Sequence, residues 1–201
     1  AEARKYLVNN NPHIDILNII KLSIGISKFS FDRLVLISTV DVYSQKNNLG
    51  DEDTNLMFGT PSYGNNRLLL EHLLRETAQD YSFQIFRLQG IIANNLLKNP
   101  LFDIRNKHNL GNLRQNWIMQ FYPIGLLGKH IEICNSLDAD IINLSCEPIK
   151  FQEIVSSFAP NLQNSIPQSG TFLKYDVRSK FSGMLVGNDD YWVKKNEIMS
   201  E

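Results

Sequence analysis

The run RLVLIS, residues 33–38, restricts the fold more than any other stretch of the chain. It is rich in aliphatic and β-branched residues and shows no apolar–polar alternation, the pattern of a strand covered on both faces. A second strand, FQIFRL, follows at residues 83–88. Between them, PSYGNNRLLLEHLLRETAQD predicts a helix opened by Pro61, with Leu69, Leu70, Leu73 and Leu74 on its apolar side. Glu71 and Arg75 read there as an exposed i,i+4 pair. Strand, helix, strand in this order implies a parallel sheet with helices on its faces.

Upstream, NNPHIDILNIIKLSIGISKF predicts another helix, with Asn11 placed to cap it and Pro12 in its first turn. Ile14, Leu17, Ile20 and Ile24 share one face at helical spacing. Downstream the pattern loosens. A short helix is expected over LLKNPLFDIRN, an extended WIMQFYP, a helix over GLLGKHIEICNSL, a strand at DIINLS and a helix over IKFQEIVSSFA. TFLKYDV is expected as a last strand and DDYWVKKNEIMSE as a terminal helix.

The 201 residues, 43% hydrophobic and 20% charged, suffice for a sizeable core and argue against global disorder. A net charge of −1 gives no sign of a nucleic-acid groove or of attraction to an anionic membrane surface. No apolar run approaches a membrane span, and no signal peptide opens the chain, so the expected location is the cytoplasm. Cys134 and Cys146 read as buried free thiols of a reducing compartment. His13, His72, His108 and His130 have no metal-ligand spacing, so no metal site is expected. Trp117, Phe121 and Tyr122 read as core or lid packing.

Chemistry concentrates where the first strand ends. Within ISTVDVYS, residues 37–44, the six residues 38–43 deliver two hydroxyls, a carboxylate and a tyrosine where an ordinary loop favours Gly, Pro or Asn. Ligands of open parallel sheets sit at such strand ends. Tyr63 and Arg67 stand four apart near the start of the next helix, which stacks a phenol and a cation on one face. A fixed positive charge lowers a phenol's pKa from about 10 toward the range of a useful base. Thr39, Tyr63 and Arg67 together form a proton-transfer set for oxidising an alcohol or reducing a carbonyl. Asp41 reads either as a substrate-side acid or as a loop-capping carboxylate. Lys98 and Asn99 face either a nucleotide phosphate or solvent.

The ordered motifs RLVLISTVDVY, SYGNNRLLLE and FQIFRLQGI resemble the extended short-chain dehydrogenase/reductase family, the NAD-dependent sugar-nucleotide epimerases and dehydratases. The resemblance covers most of residues 10–158. It implies a Rossmann-like α/β fold, a parallel sheet with helices on both faces, plus a smaller substrate-side α/β portion. Residues 1–90 would be the later part of the dinucleotide-binding domain and residues 91–201 the substrate-side portion. It further implies NAD or NADP as cofactor and a nucleotide-linked sugar as substrate, in surface-polysaccharide synthesis. Tyr63 would be the acid/base, Thr39 the partner of the reacting oxygen, and Arg67 the counterpart of the family's lysine. Ser38, Tyr63, Arg67, Leu88 and Gly90 would lie against the cofactor, and Asp41, Asn94 and Lys98 toward the substrate. The helices near 12–28 and 61–79 would pair two subunits into a homodimer.

The chain departs from the family in three places. It has no glycine-rich turn of the G-x-G-x-x-G or G-x-x-G-x-x-G kind, it carries Arg67 in place of lysine, and GIIAN, residues 90–94, replaces the usual Asn-x-Tyr-Gly-Pro loop. It therefore reads either as the later part of a longer enzyme or as a non-catalytic relative, a binding or scaffolding domain.

Overall fold

Apolar runs without alternation, split by amphipathic helices, build the elements that carry the site. The computed structural model describes residues 2–78, 81–186 and 190–200. In chain order its helices are α1 (Lys5–Asn10), α2 (Pro12–Ile26), α3 (Tyr63–Thr77), α4 (Pro100–Asn106), α5 (Leu127–Cys134), α6 (Phe151–Phe158), α7 (Gly183–Val186) and α8 (Lys195–Ser200). Its strands are β1 (Arg33–Thr39), β2 (Leu49–Gly50), β3 (Ser82–Leu88), β4 (Gly90–Ile92), β5 (Ile118–Met119), β6 (Phe121–Pro123), β7 (Ile141–Asn143), β8 (Ile149–Lys150) and β9 (Asp176–Val177). The chain divides into two units, Ala1–Leu88 with Asp138–Asn143, and Gln89–Leu137 with Leu144–Glu201.

In the first unit the sheet order is β1-β3-β7, all parallel, with Arg33 opposite Ser82 and Thr39 opposite Leu88. Ile19 of α2, Leu70 and Leu74 of α3, and Phe83 and Ile85 of β3 form one buried cluster. Leu34 and Leu36 of β1 and Ile141 of β7 pack against it. Both long helices therefore cover the same face of the sheet, each buried aliphatic side chain contributing about 1.5–3 kcal/mol.

A charged network ties the strand ends to α3. Arg87 of β3 and Glu71 of α3, with side chains 4% and 3% exposed, pair at 2.6 Å. The Ser38 hydroxyl donates to Glu71 at 2.5 Å, and Arg87 Nη1 donates to the Tyr43 hydroxyl at 2.8 Å. Asn143 Nδ2, on β7, donates to the same Tyr43 oxygen at 2.9 Å. The ends of all three strands are thereby cross-linked to the helix, and burial holds because almost every charge meets a partner.

Several expectations are corrected here. Glu71 does not pair with Arg75 on the surface; burial brings it to Arg87, and Arg75 lies 3.9 Å from Asp140 instead. Ile14, Leu17, Ile20 and Ile24 share a face, but it is the exposed one, while Asp15, Ile19 and Ser23 are buried. Helix α2 carries two apolar stripes, and the one containing a carboxylate turns inward because a cation awaits it. Strand β1 is not covered on both faces, since it ends the sheet and Ile37 is 44% exposed. Asn11 makes no side-chain cap, and α3 opens at Tyr63 rather than Pro61. The helix expected up to Asp80 ends at Thr77, and residues 79 and 80 lie outside the described set.

The second unit is built on short pairings, β4 with β6 in parallel and β5 with β8 antiparallel. Side-chain amides complete what these strands leave open: Gln120 Nε2 donates to the Cys146 and Val177 carbonyls, and its Oε1 accepts from Val177 N–H. Phe121, Tyr122, Ile149 and Phe151 are fully buried, which places two of the three aromatics expected to pack in the core. Cys134 and Cys146 are buried and form no disulfide, as expected. TFLKYDV contributes only the two-residue β9 and a bridge at Lys174. The terminal helix shrinks to α8, with Asp189 and Glu201 of that expectation outside the described residues. Among the described residues no helix is long and apolar enough to cross a membrane.

Candidate functional site

Strand β1 ends at Thr39 and turns at once into a 3₁₀ helix, Val40–Lys46. Thr39 causes the turn, because its Oγ1 accepts the Asp41 N–H at 3.2 Å. Its own hydroxyl proton remains available. Helix α3 starts against this turn. A Cβ at Gly64 would overlap the Asp41 carbonyl, so only glycine lets the helix approach so closely. Tyr63, one residue earlier, is thereby fixed beside the strand end. Its N–H donates to Asn9 Oδ1 at 2.9 Å, so Asn9 caps α3 rather than its own helix.

Arg67 lies one turn along α3, with its guanidinium carbon 5.1 Å from the centre of the Tyr63 ring. The helix thus brings the phenol and the cation together as their spacing implies. The guanidinium is nevertheless committed elsewhere: Arg67 Nη2 pairs with Asp15 of α2, both side chains being buried. Asp15 also accepts from Asn66 Nδ2 at 3.0 Å and from Glu2 N–H at 3.0 Å. Burial raises the Asp15 pKa, but the Arg67, Asn66 and Glu2 hydrogen bonds outweigh it and hold the carboxyl below its ordinary value. Arg67 Nε is buried with no hydrogen-bond partner among the described residues.

The electrostatics of Tyr63 run against the expectation from sequence. Burial, then the Asp41 charge, raise its pKa; Arg67 opposes them, and Asp15 and Glu2 add to the rise. With its pKa raised above the ordinary value, the phenol keeps its proton at physiological pH. Asp41 itself bonds Lys5 of α1 at 2.7 Å.

The structure gathers Thr39, Asp41, Tyr63 and Arg67 within the first unit. Ser38 faces the other way along β1, toward Glu71, and Leu88 is buried opposite Thr39. Gly90, Asn94 and Lys98 belong to the second unit. A Cβ at Gly90 would press on the Phe121 ring, which makes that glycine a packing residue. Asn94 and Lys98 are exposed, and Asn99 caps α4 by accepting from Leu101 and Phe102 N–H. Asp15 and Lys5 were not singled out by the sequence, whereas a capping role for Asn9 agrees with its bond to the Tyr63 N–H. The signal for Asp15 was a single carboxylate in register, i and i+4, with a buried isoleucine.

The dinucleotide implied by the resemblance does not find a complete site in these residues. The orphaned Arg67 Nε beside the phenol suits a sugar or ribose hydroxyl. Ser38 is taken by Glu71, the end of the Arg67 fork is taken by Asp15, and no glycine turn is present to cradle a pyrophosphate.

The Asp15–Arg67 pair makes a stability prediction. A carboxyl with a depressed folded pKa contributes stability above its unfolded value near 3.9, and loses it as pH falls through the folded pKa. Asp15→Asn, by leaving Arg67 buried and unpaired, is expected to cost about 3–5 kcal/mol at pH 7. The gap from wild type should narrow as the pH is lowered below about 4. Urea unfolding at pH 7 and at acid pH measures both; a cost under about 1 kcal/mol at pH 7 contradicts the account.

No protein-family model and no curated protein matches the sequence. Solved structures do match the fold. The dTDP-4-dehydrorhamnose reductase from Yersinia enterocolitica is 13% identical, with a TM-score of 0.67 over 99% of this chain and 76% of that one. The Bordetella bronchiseptica enzyme WbmG, solved with NAD, is 12% identical, with a TM-score of 0.71 over 100% of this chain and 67% of that one. The UDP-glucuronic acid 4-epimerase from Bacillus cereus, also solved with NAD, is 17% identical, with a TM-score of 0.61. The chain covers 60% of that epimerase. The fold expected from the motifs thus holds in three dimensions: the chain shares the Rossmann-like α/β fold of these structures.

Proposed function

We propose that this chain forms the proton-transfer and substrate-side part of an NAD(P)-dependent epimerase, dehydratase or reductase that acts on a nucleotide-linked sugar in surface-polysaccharide synthesis. The observation that carries the reading is the phenol of Tyr63 stacked over Arg67 at the end of β1, with an unpartnered buried N–H beneath it. A neutral phenol gives its proton to a carbonyl oxygen that is being reduced, and the Thr39 hydroxyl holds that same oxygen. Arg67 places the ring and supplies positive charge; it cannot relay a proton, because it stays charged.

Sheet topology supports a place for the missing cofactor contacts. Helices α2 and α3 cover the same face, and α3 links β1 to β3 by a parallel crossover. Such crossovers are right-handed, so a strand feeding α2 belongs beside β1 on the edge away from β3. That edge is unpaired within the described sheet. A pyrophosphate turn on a strand feeding α2 would lie on that side of the sheet. The competing reading, a non-catalytic relative, draws on the commitment of Arg67 to Asp15 and of Ser38 to Glu71.

The chain pairs with a second copy through α2 and α3. Ile14, Leu17, Ile20 and Ile24 form an exposed aliphatic stripe on α2, the kind of surface that a protein partner covers. Sedimentation should show a dimer that Leu17→Arg converts to monomer; a monomeric wild type overturns this part.

The catalytic reading is tested with the intact protein, NADH and a panel of UDP- and dTDP-linked sugars. Tyr63→Phe is expected to lower turnover about 10²–10⁴-fold while NADH affinity stays within a factor of two or so. An unchanged rate removes Tyr63 as the acid. A folded wild type that binds neither NADH nor any sugar nucleotide favours the non-catalytic relative.

A further inference from the structure

The second unit contains a cavity of about 560 Å³, within the range of small-molecule sites. Its walls come from five separate parts of the chain: Ile92 of β4, Leu101 and Ile104 of α4, Phe121 and Ile124, Ile154 of α6, and Ile198 of α8. Asn94 and Arg105 are the polar side chains of the lining and the others are apolar, so most of the wall is a poor place for the hydroxyls of a sugar. It is a good place for methylene groups, each worth about 0.8 kcal/mol when buried.

One charge borders this apolar space. Arg105 of α4 lines the cavity and is exposed, so its guanidinium reaches solvent. Its Nη1 donates to the Asn94 carbonyl at 2.6 Å, which orients the fork without neutralising it. No carboxylate pairs with Arg105 among the described residues. An apolar chamber bordered by an uncompensated guanidinium complements a ligand with an apolar body and an anionic head. Asn94, whose alternative is a contact with the sugar nucleotide, here serves to hold that guanidinium.

We propose that the cavity under α4 binds an amphipathic anion, its hydrocarbon portion among Ile92, Ile104, Phe121 and Ile154 and its carboxylate or phosphate on Arg105. All of these residues belong to the second unit, and the proposal does not depend on the catalytic reading. A medium-length acyl or alkyl chain that carries a carboxylate or phosphate satisfies both halves of the lining.

Isothermal titration of the intact chain with octanoate, octyl phosphate and 1-octanol tests this directly. The expected result is saturable one-to-one binding of at least one anion, with 1-octanol about tenfold weaker or more, since the head meets a charged donor. Comparing octanoate with octyl phosphate identifies the head group. Arg105→Gln, on an exposed side chain, should weaken the anion about tenfold and leave 1-octanol unchanged. Ala93→Phe, which narrows the cavity at a half-buried lining position, should abolish binding of all three while the melting temperature stays near wild type. Absence of saturable binding by either anion overturns the proposal. So does equal affinity for anion and alcohol, or binding that survives Ala93→Phe.

Discussion

The buried pair between Asp15 and Arg67 is the interaction on which the site depends. It joins α2 to α3 and decides which stripe of α2 faces the sheet. It also holds the guanidinium under the ring of Tyr63. A buried ion pair has a desolvation cost of several kcal/mol per ion, recovered only when the remaining polar atoms are satisfied. Asn66 and the backbone of Glu2 satisfy the carboxylate, whereas one N–H of the guanidinium is left over. That residual donor lies next to the phenol, where a ligand hydroxyl would complete the set.

The second charged network does a different job. Glu71, Arg87, Tyr43 and Asn143 lock the ends of β1, β3 and β7, so the turn from Thr39 to Asp41 starts from a rigid base. On that base Gly64 lets α3 touch the turn, and Tyr63 comes to rest near Asp41. Position and protonation then have one origin. The same close approach that orients the phenol also surrounds it with carboxylates and removes water, and these outweigh Arg67.

Much of the scaffold was legible in the sequence. Non-alternating RLVLIS and the 3.6-residue spacing of leucines in α3 required a parallel strand–helix–strand unit, and the structure contains it. Spacing alone also put Tyr63 against Arg67. Other features were hidden for physical reasons. Glu71 has a cation four residues away on its own helix, and only tertiary burial selects Arg87 over Arg75. In α2 isoleucines lie on both faces and the more aliphatic one is outward, so periodicity misleads; the answer lies in a lone carboxylate that reads locally as solvated. In the second unit, strands of two or three residues are completed by glutamine side chains, which leave no periodic trace. The direction of the Tyr63 shift was likewise invisible, since Asp41, Asp15 and Glu2 converge on it only after folding.

The account rests on Tyr63 being a neutral proton donor held in place by a cation that is already paired. A pH titration of the protein labelled with ¹³C at the tyrosine ring, with the resonance assigned by its loss in Tyr63→Phe, reads this out. The account predicts that the Tyr63 phenol deprotonates only above the ordinary tyrosine value near 10. A midpoint clearly below that value would mean that Arg67 acts on the phenol rather than on Asp15, and would contradict it.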